Sequence, residues 1–147
     1  MKNNSVLNIY QFLDKIDISK LEDTNLVCKV LYNLSKLDGE NSKIKKRFES
    51  VQSKLFKDKT DRVSELSELR KTINSENEAE ISKKIKQEYS DILNLEQIYY
   101  KVVNSILDEH IDIDLDKIDR KEISYICKIL GIDLSLQEFI ELRDLIK

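Results

Sequence analysis

The chain has 147 residues, of which 36% are charged and 40% hydrophobic, with a net charge of −3 at pH 7. That is apolar enough to fold and long enough for one domain with its own core. It has no proline, no tryptophan and only two glycines, Gly39 and Gly131, which excludes turn-rich β-sandwiches and doubly wound α/β folds and predicts long helices.

The N-terminal segment MKNNSVLNIYQFLDKID has neither the apolar run nor the small-residue cleavage site of a secretion signal. No stretch approaches the ~18 apolar residues of a membrane span. A soluble, intracellular protein is expected. The first helix carries Val6, Ile9, Tyr10, Leu13 and Ile16 on one face. Thr24 is the expected cap of a second helix, with Leu26, Val27, Val30, Leu31, Leu34 and Leu37 on its face. Gly39 marks a kink or turn. These N-terminal helices occupy residues 1–37.

A long antiparallel, coiled-coil-like helical hairpin is expected over residues 40–107. Its first limb has Ile44, Phe48, Val51 and Leu55 at heptad spacing, then Leu66, Leu69 and Ile73 after a slip in phase. Its second limb has Ile81, Ile85, Ile92, Leu95, Tyr99, Val102 and Ile106, and the polar stretch 74–80 is the turn between them. Leu93, Ile98, Tyr100 and Val103 fall outside the seam and form a candidate interaction surface, which either the N-terminal helices, another subunit or a partner protein must cover.

The stretch DEHIDIDLDKID, residues 108–119, holds the only histidine, His110, and five aspartates. As a calcium loop starting at Asp112 it fails where glycine, an apolar residue and a bidentate glutamate are required: Lys117, Asp119 and Ile123 stand there. His110 beside these carboxylates could hold zinc, but Cys28 and Cys127 lie apart, without C-x-x-C spacing, in helical patterns that suggest reduced core residues, so a solvated or capping histidine is expected. The strict alternation of Ile111, Ile113 and Leu115 with Asp112, Asp114 and Asp116 instead predicts a short β-strand near 111–115 with a solvated acidic face. IDISKL, residues 16–21, is the best candidate within the chain to pair with it, and a second copy of the protein is the other. A C-terminal helix pair follows. Asp119 with Glu122, and Ser135 with Glu138, have capping-box spacing, and Gly131 suits a left-handed helix stop. Residues 1–147 thus read as a single elongated domain, mainly α.

No glycine-rich phosphate loop or G-x-S-x-G serine is present, so no catalytic, cofactor or metal site and no small-molecule substrate is expected. KIKKRF, residues 43–48, supplies a basic helix face of Lys43, Lys45, Lys46 and Arg47. It could meet phosphates, but acidic neighbours Glu40, Glu49 and Asp58 favour a solvated face over a nucleic-acid site. Residues 91–147 carry 7 basic and 13 acidic side chains against 13 and 11 in residues 38–90, so the C-terminal part could steer toward a basic partner or toward the basic region of a second subunit.

The segments VCKVLYNLSKLDGE, KKRFESVQSKL and IYYKVVNSILDEHIDIDLDKIDRKEI, within residues 20–125, resemble a family of small tailed-bacteriophage proteins of unknown function. The resemblance implies a viral accessory protein in the cytoplasm of a bacterial host or in the virion. The expected function is a non-enzymatic, self-associating interaction protein, a minor particle or assembly component, working through the hairpin seam and the C-terminal helix pair. The alternative is a regulator of a host protein or nucleic acid acting through the basic face at 43–47.

Overall fold

Heptad spacing without proline produces helices here, as expected. A computed structural model describes all residues 1–147, about 72% of them helical, with seven α-helices and no strand. They are α1 (Asn3–Asp14), α2 (Thr24–Leu55), α3 (Thr60–Lys71), α4 (Glu78–Glu88), α5 (Ser90–Asp108), α6 (Arg120–Leu130) and α7 (Leu136–Glu141). No helix is long and apolar enough to cross a membrane.

Several boundaries differ from expectation. Gly39 breaks nothing: α2 runs through it as one helix. A mid-helix glycine costs only about 1 kcal/mol relative to alanine, which the buried stripe Leu26, Val30, Leu37 and Ile44 outweighs. The cap of α2 is Asp23 rather than Thr24, since its carboxylate accepts from the N–H groups of Asn25 and Leu26 at 2.9 and 3.4 Å. The first limb of the expected hairpin breaks after Leu55, where Asp58 adopts φ 61°; an aspartate tolerates this left-handed conformation better than most residues. The second limb breaks at Tyr89. There the Arg62 guanidinium donates to the freed Glu88 carbonyl at 2.6 Å and pairs with Asp91 at 3.1 Å. Between α3 and α4 the polar insert is a turn closed by Asn74 and Asn77, each accepting from the other's backbone N–H, at 3.1 and 2.7 Å.

The predicted β-strand near 111–115 is absent, and IDISKL does not pair with it: Ile18–Lys20 is a 3-10 turn with Asp17 accepting from the Ser19 N–H. The alternation itself is present, with Leu115 buried, Ile111 and Ile113 half-buried, and the aspartates exposed. A strand needs a continuous backbone partner, and this segment divides its hydrogen bonds among three. Ile111 exchanges backbone hydrogen bonds with Met1 at 2.8 and 2.9 Å. Asp116 meets the side chain of Asn33. Ile118 bonds to Leu145 and Lys147 at 3.0 and 3.1 Å. Only isolated bridges result, Lys2 with His110 and Ile118 with Ile146.

The chain divides into two compact units. Met1–Lys45 and Ile106–Lys147 form one; Lys46–Ser105 forms the other. The first buries Val6, Ile9, Leu13, Val30, Ile118, Ile123, Ile126 and Leu145. Lys29 and Glu122 pair across it at 2.8 Å. The second has a smaller core of Leu66, Ile85 and Ile92, with Phe56, Val63, Leu69, Ile81, Tyr89 and Leu93 packed around it. Cys127 is buried as expected, but Cys28 is exposed; both are free thiols.

Candidate interaction surface

The C-terminal helix pair begins with two complete capping boxes. Asp119 accepts from Lys121 and Glu122 while Glu122 accepts from the Asp119 N–H; Ser135 and Glu138 reciprocate in the same way. Gly131 at φ 67° stops α6, so the chain turns and α7 follows after four residues. Leu142 and Leu145, just beyond α7, are buried in the first unit. At about 100° per residue, that anchoring leaves the other apolar stripe of the segment, Leu136, Phe139 and Ile140, facing outward. Their exposures are 78%, 36% and 48%. Together with Ile146 they line a groove of about 700 Å³ against α6. Arg120, from the first turn of α6, and Arg143, just past α7, stand on the same groove. Both are exposed, and neither guanidinium forms an ion pair. Lys147 also lines it, close enough to Asp119 to help hold that carboxyl below its usual range, although the main cause is the Glu122 backbone N–H.

No family model matches the chain, and no curated protein or solved structure does either.

The basic residues of α2 do not form a single face. Lys43, Lys46 and Arg47 lie within about one third of the helix circumference, whereas Lys45 projects on the other side of the buried Ile44. Lys43 pairs with Glu40 one turn away. Lys45 lies 5.9 Å from the centre of the Tyr10 ring. On α5, Ile98 and Tyr100 are exposed, but Leu93 packs on the core of the second unit and Val103 is half-buried. Val102, assigned to the seam, is at the surface. The four α5 positions are therefore not one open patch.

Chemistry-bearing residues are dispersed. His110 is exposed, with its backbone bridged to Lys2. Burial pushes the Cys127 thiol above its usual range, which disfavours the thiolate. No three histidine, cysteine, aspartate or glutamate side chains converge as metal ligands would. The sequence pointed to the C-terminal helix pair but not to Leu136, Phe139, Ile140, Arg120 and Arg143 as a set. The signal was the i, i+3, i+4, i+7 spacing of residues 136, 139, 140 and 143. Leu142 and Leu145 offered a competing apolar face, and only their burial shows which one is left open.

Proposed function

We propose that this chain is a non-enzymatic helical interaction protein, a phage-encoded accessory serving as a minor particle or assembly component. The observation that carries the interaction reading is the open stripe Leu136, Phe139 and Ile140. A helix face built for burial and left uncovered beside a concave, basic-rimmed groove is characteristic of a docking surface. The phage assignment rests on the resemblance of residues 20–125 to small tailed-phage proteins. A coiled-coil-like association through the heptad seam belongs to the same proposal, as a route to self-assembly.

The test is site-specific photo-crosslinking in cells, with a photo-reactive phenylalanine analogue in place of Leu136 and, as control, in place of the exposed Lys84. Discrete protein adducts from position 136 and none from position 84 are expected. Indistinguishable patterns at the two positions would remove the interaction reading.

A further inference from the structure

We propose that the groove between α6 and α7 takes an acidic amphipathic helix from another protein. The proposal rests on the interaction reading above and names the partner's chemistry. Three observations support it. First, the apolar floor is a helical stripe, and Leu136 projects from it almost fully exposed. Such a stripe is complemented by apolar side chains repeating at i, i+3 or i+4 and i+7 on an incoming helix. Second, the backbone around the groove is already satisfied. Both helices carry closed capping boxes, and the one nearby bridge, Ile118 with Ile146, uses its own donors and acceptors. Strand addition, which needs a free edge, is thereby disfavoured.

The third observation is charge. Residues 91–147 hold an excess of acidic side chains, yet the groove displays two arginines with no acidic partner. The acids of α7 lie elsewhere: Glu138 and Glu141 line a separate depression with Lys15. Arginine guanidiniums offer planar forks that suit carboxylates. Their placement beside an apolar floor selects glutamates or aspartates flanking the anchors, and it disfavours a basic helix by like-charge repulsion. A second copy of this chain is a weaker fit: its exposed acids at Asp112, Asp114 and Asp116 lie on an irregular segment, and Glu65 and Glu68 lie on α3, whose Val63 and Leu69 are already packed in the core of the second unit and leave no apolar stripe to anchor.

Two fluorescent peptides of about four helical turns test the idea, both with leucine anchors at helical spacing. One carries glutamates on its remaining face, the other lysines. Fluorescence anisotropy with the full chain should show saturable binding of the acidic peptide, weakening with salt, and at least about tenfold weaker binding of the basic one. Leu136→Asp and Ile140→Asp should each weaken the acidic peptide about tenfold or more. Arg120→Glu with Arg143→Glu should invert the preference between peptides. Circular dichroism verifies that each variant stays folded, which is expected because all four side chains are exposed. Equal binding of the two peptides, no binding of either, or insensitivity to Leu136→Asp would overturn the proposal. So would light scattering that shows a dimer dissociated by Leu136→Asp, since the occupant would then be a second copy. Discrete crosslinks at position 136 without acidic-peptide binding would leave the interaction reading standing and remove only the acidic partner.

Discussion

The side-chain amide of Asn33 grips the backbone of Asp116 at both ends. Its Nδ2 donates to the Asp116 carbonyl and its Oδ1 accepts from the Asp116 N–H, each at 2.8 Å. Asn33 is fully buried on α2, so one side chain does for the acidic segment what a neighbouring strand would otherwise do. Asn33→Ala should remove both bonds and lower stability by about 2 kcal/mol, read as a lower urea midpoint. Asn33→Asp should cost more, because it sets a buried carboxylate against the Asp116 carbonyl. A midpoint unchanged in Asn33→Ala would show that water replaces the amide at no cost.

The helix caps make acid stability a local property. The Asp119 carboxyl is held below its ordinary 3.8, first by the Glu122 N–H and then by the Lys121 N–H, Lys29 and Lys147. Glu138 is held below 4.5 by the backbone N–H and hydroxyl of Ser135. A folded pKa below the unfolded one gives stability that is present above the unfolded value and lost as pH falls through the folded value. Amides in the first turns of α6 and α7 should therefore lose exchange protection below about pH 4. Asp119→Asn, which keeps a capping acceptor, should flatten that acid limb for α6 alone.

The core of the second unit is small enough for one truncation to matter. Leu66 is fully buried and faces Ile85 and Ile92. Leu66→Ala should cost about 3 kcal/mol through lost burial and residual cavity. Hydrogen exchange should show residues 60–105 opening while α1 and α6 keep their protection. Equal loss in both units would mean that they unfold as one.

The divided basic cluster predicts weak nucleic-acid binding. Lys45 is directed away from Lys43, Lys46 and Arg47, so fewer cations reach one phosphate path. Duplex DNA should give no tight complex at physiological salt, and Lys46→Ala with Arg47→Ala should change little. A tight complex with a steep salt dependence would promote the regulator alternative.

Asp112, Asp114 and Asp116 are solvated and do not converge. Calcium or zinc should leave the melting temperature nearly unchanged, because a specific ion would raise it by mass action. A saturable upward shift with one of these ions would require a cation site on the acidic segment.

How far the sequence could be read depends on the range of the interactions concerned. Asp119 with Glu122, Ser135 with Glu138, and Gly131 were legible because caps are settled within four residues. The helical class followed from composition and spacing. The strand was misread because residues 111–115 show period-two burial, while strand formation depends on a partner; here the partners are Met1, Asn33 and the turn at Leu145, all distant in sequence. The continuation of α2 through Gly39 and the break at Tyr89 were hidden for a related reason. The first depends on what lies under the helix, and the second on Arg62 accepting a task set by Glu88. The open stripe on α7 was visible as a pattern, but its choice over the Leu142 face was decided by tertiary packing.

The second unit is continuous in sequence and interrupts the first. This imposes an order on synthesis. Residues 46–105 have all of their own partners as soon as Ser105 has left the ribosome, whereas Met1–Lys45 must wait for Ile118, Ile123, Ile126 and Leu145. Until then α1 and the first half of α2, which meet through Tyr10 and Asp38, lack the residues that complete their shared core. Prior folding of the inserted unit shortens the effective loop that the first unit must close, which reduces the entropy of joining its two halves. The nascent chain is thus most exposed to aggregation, or to capture by a chaperone, just before residues 106–147 emerge.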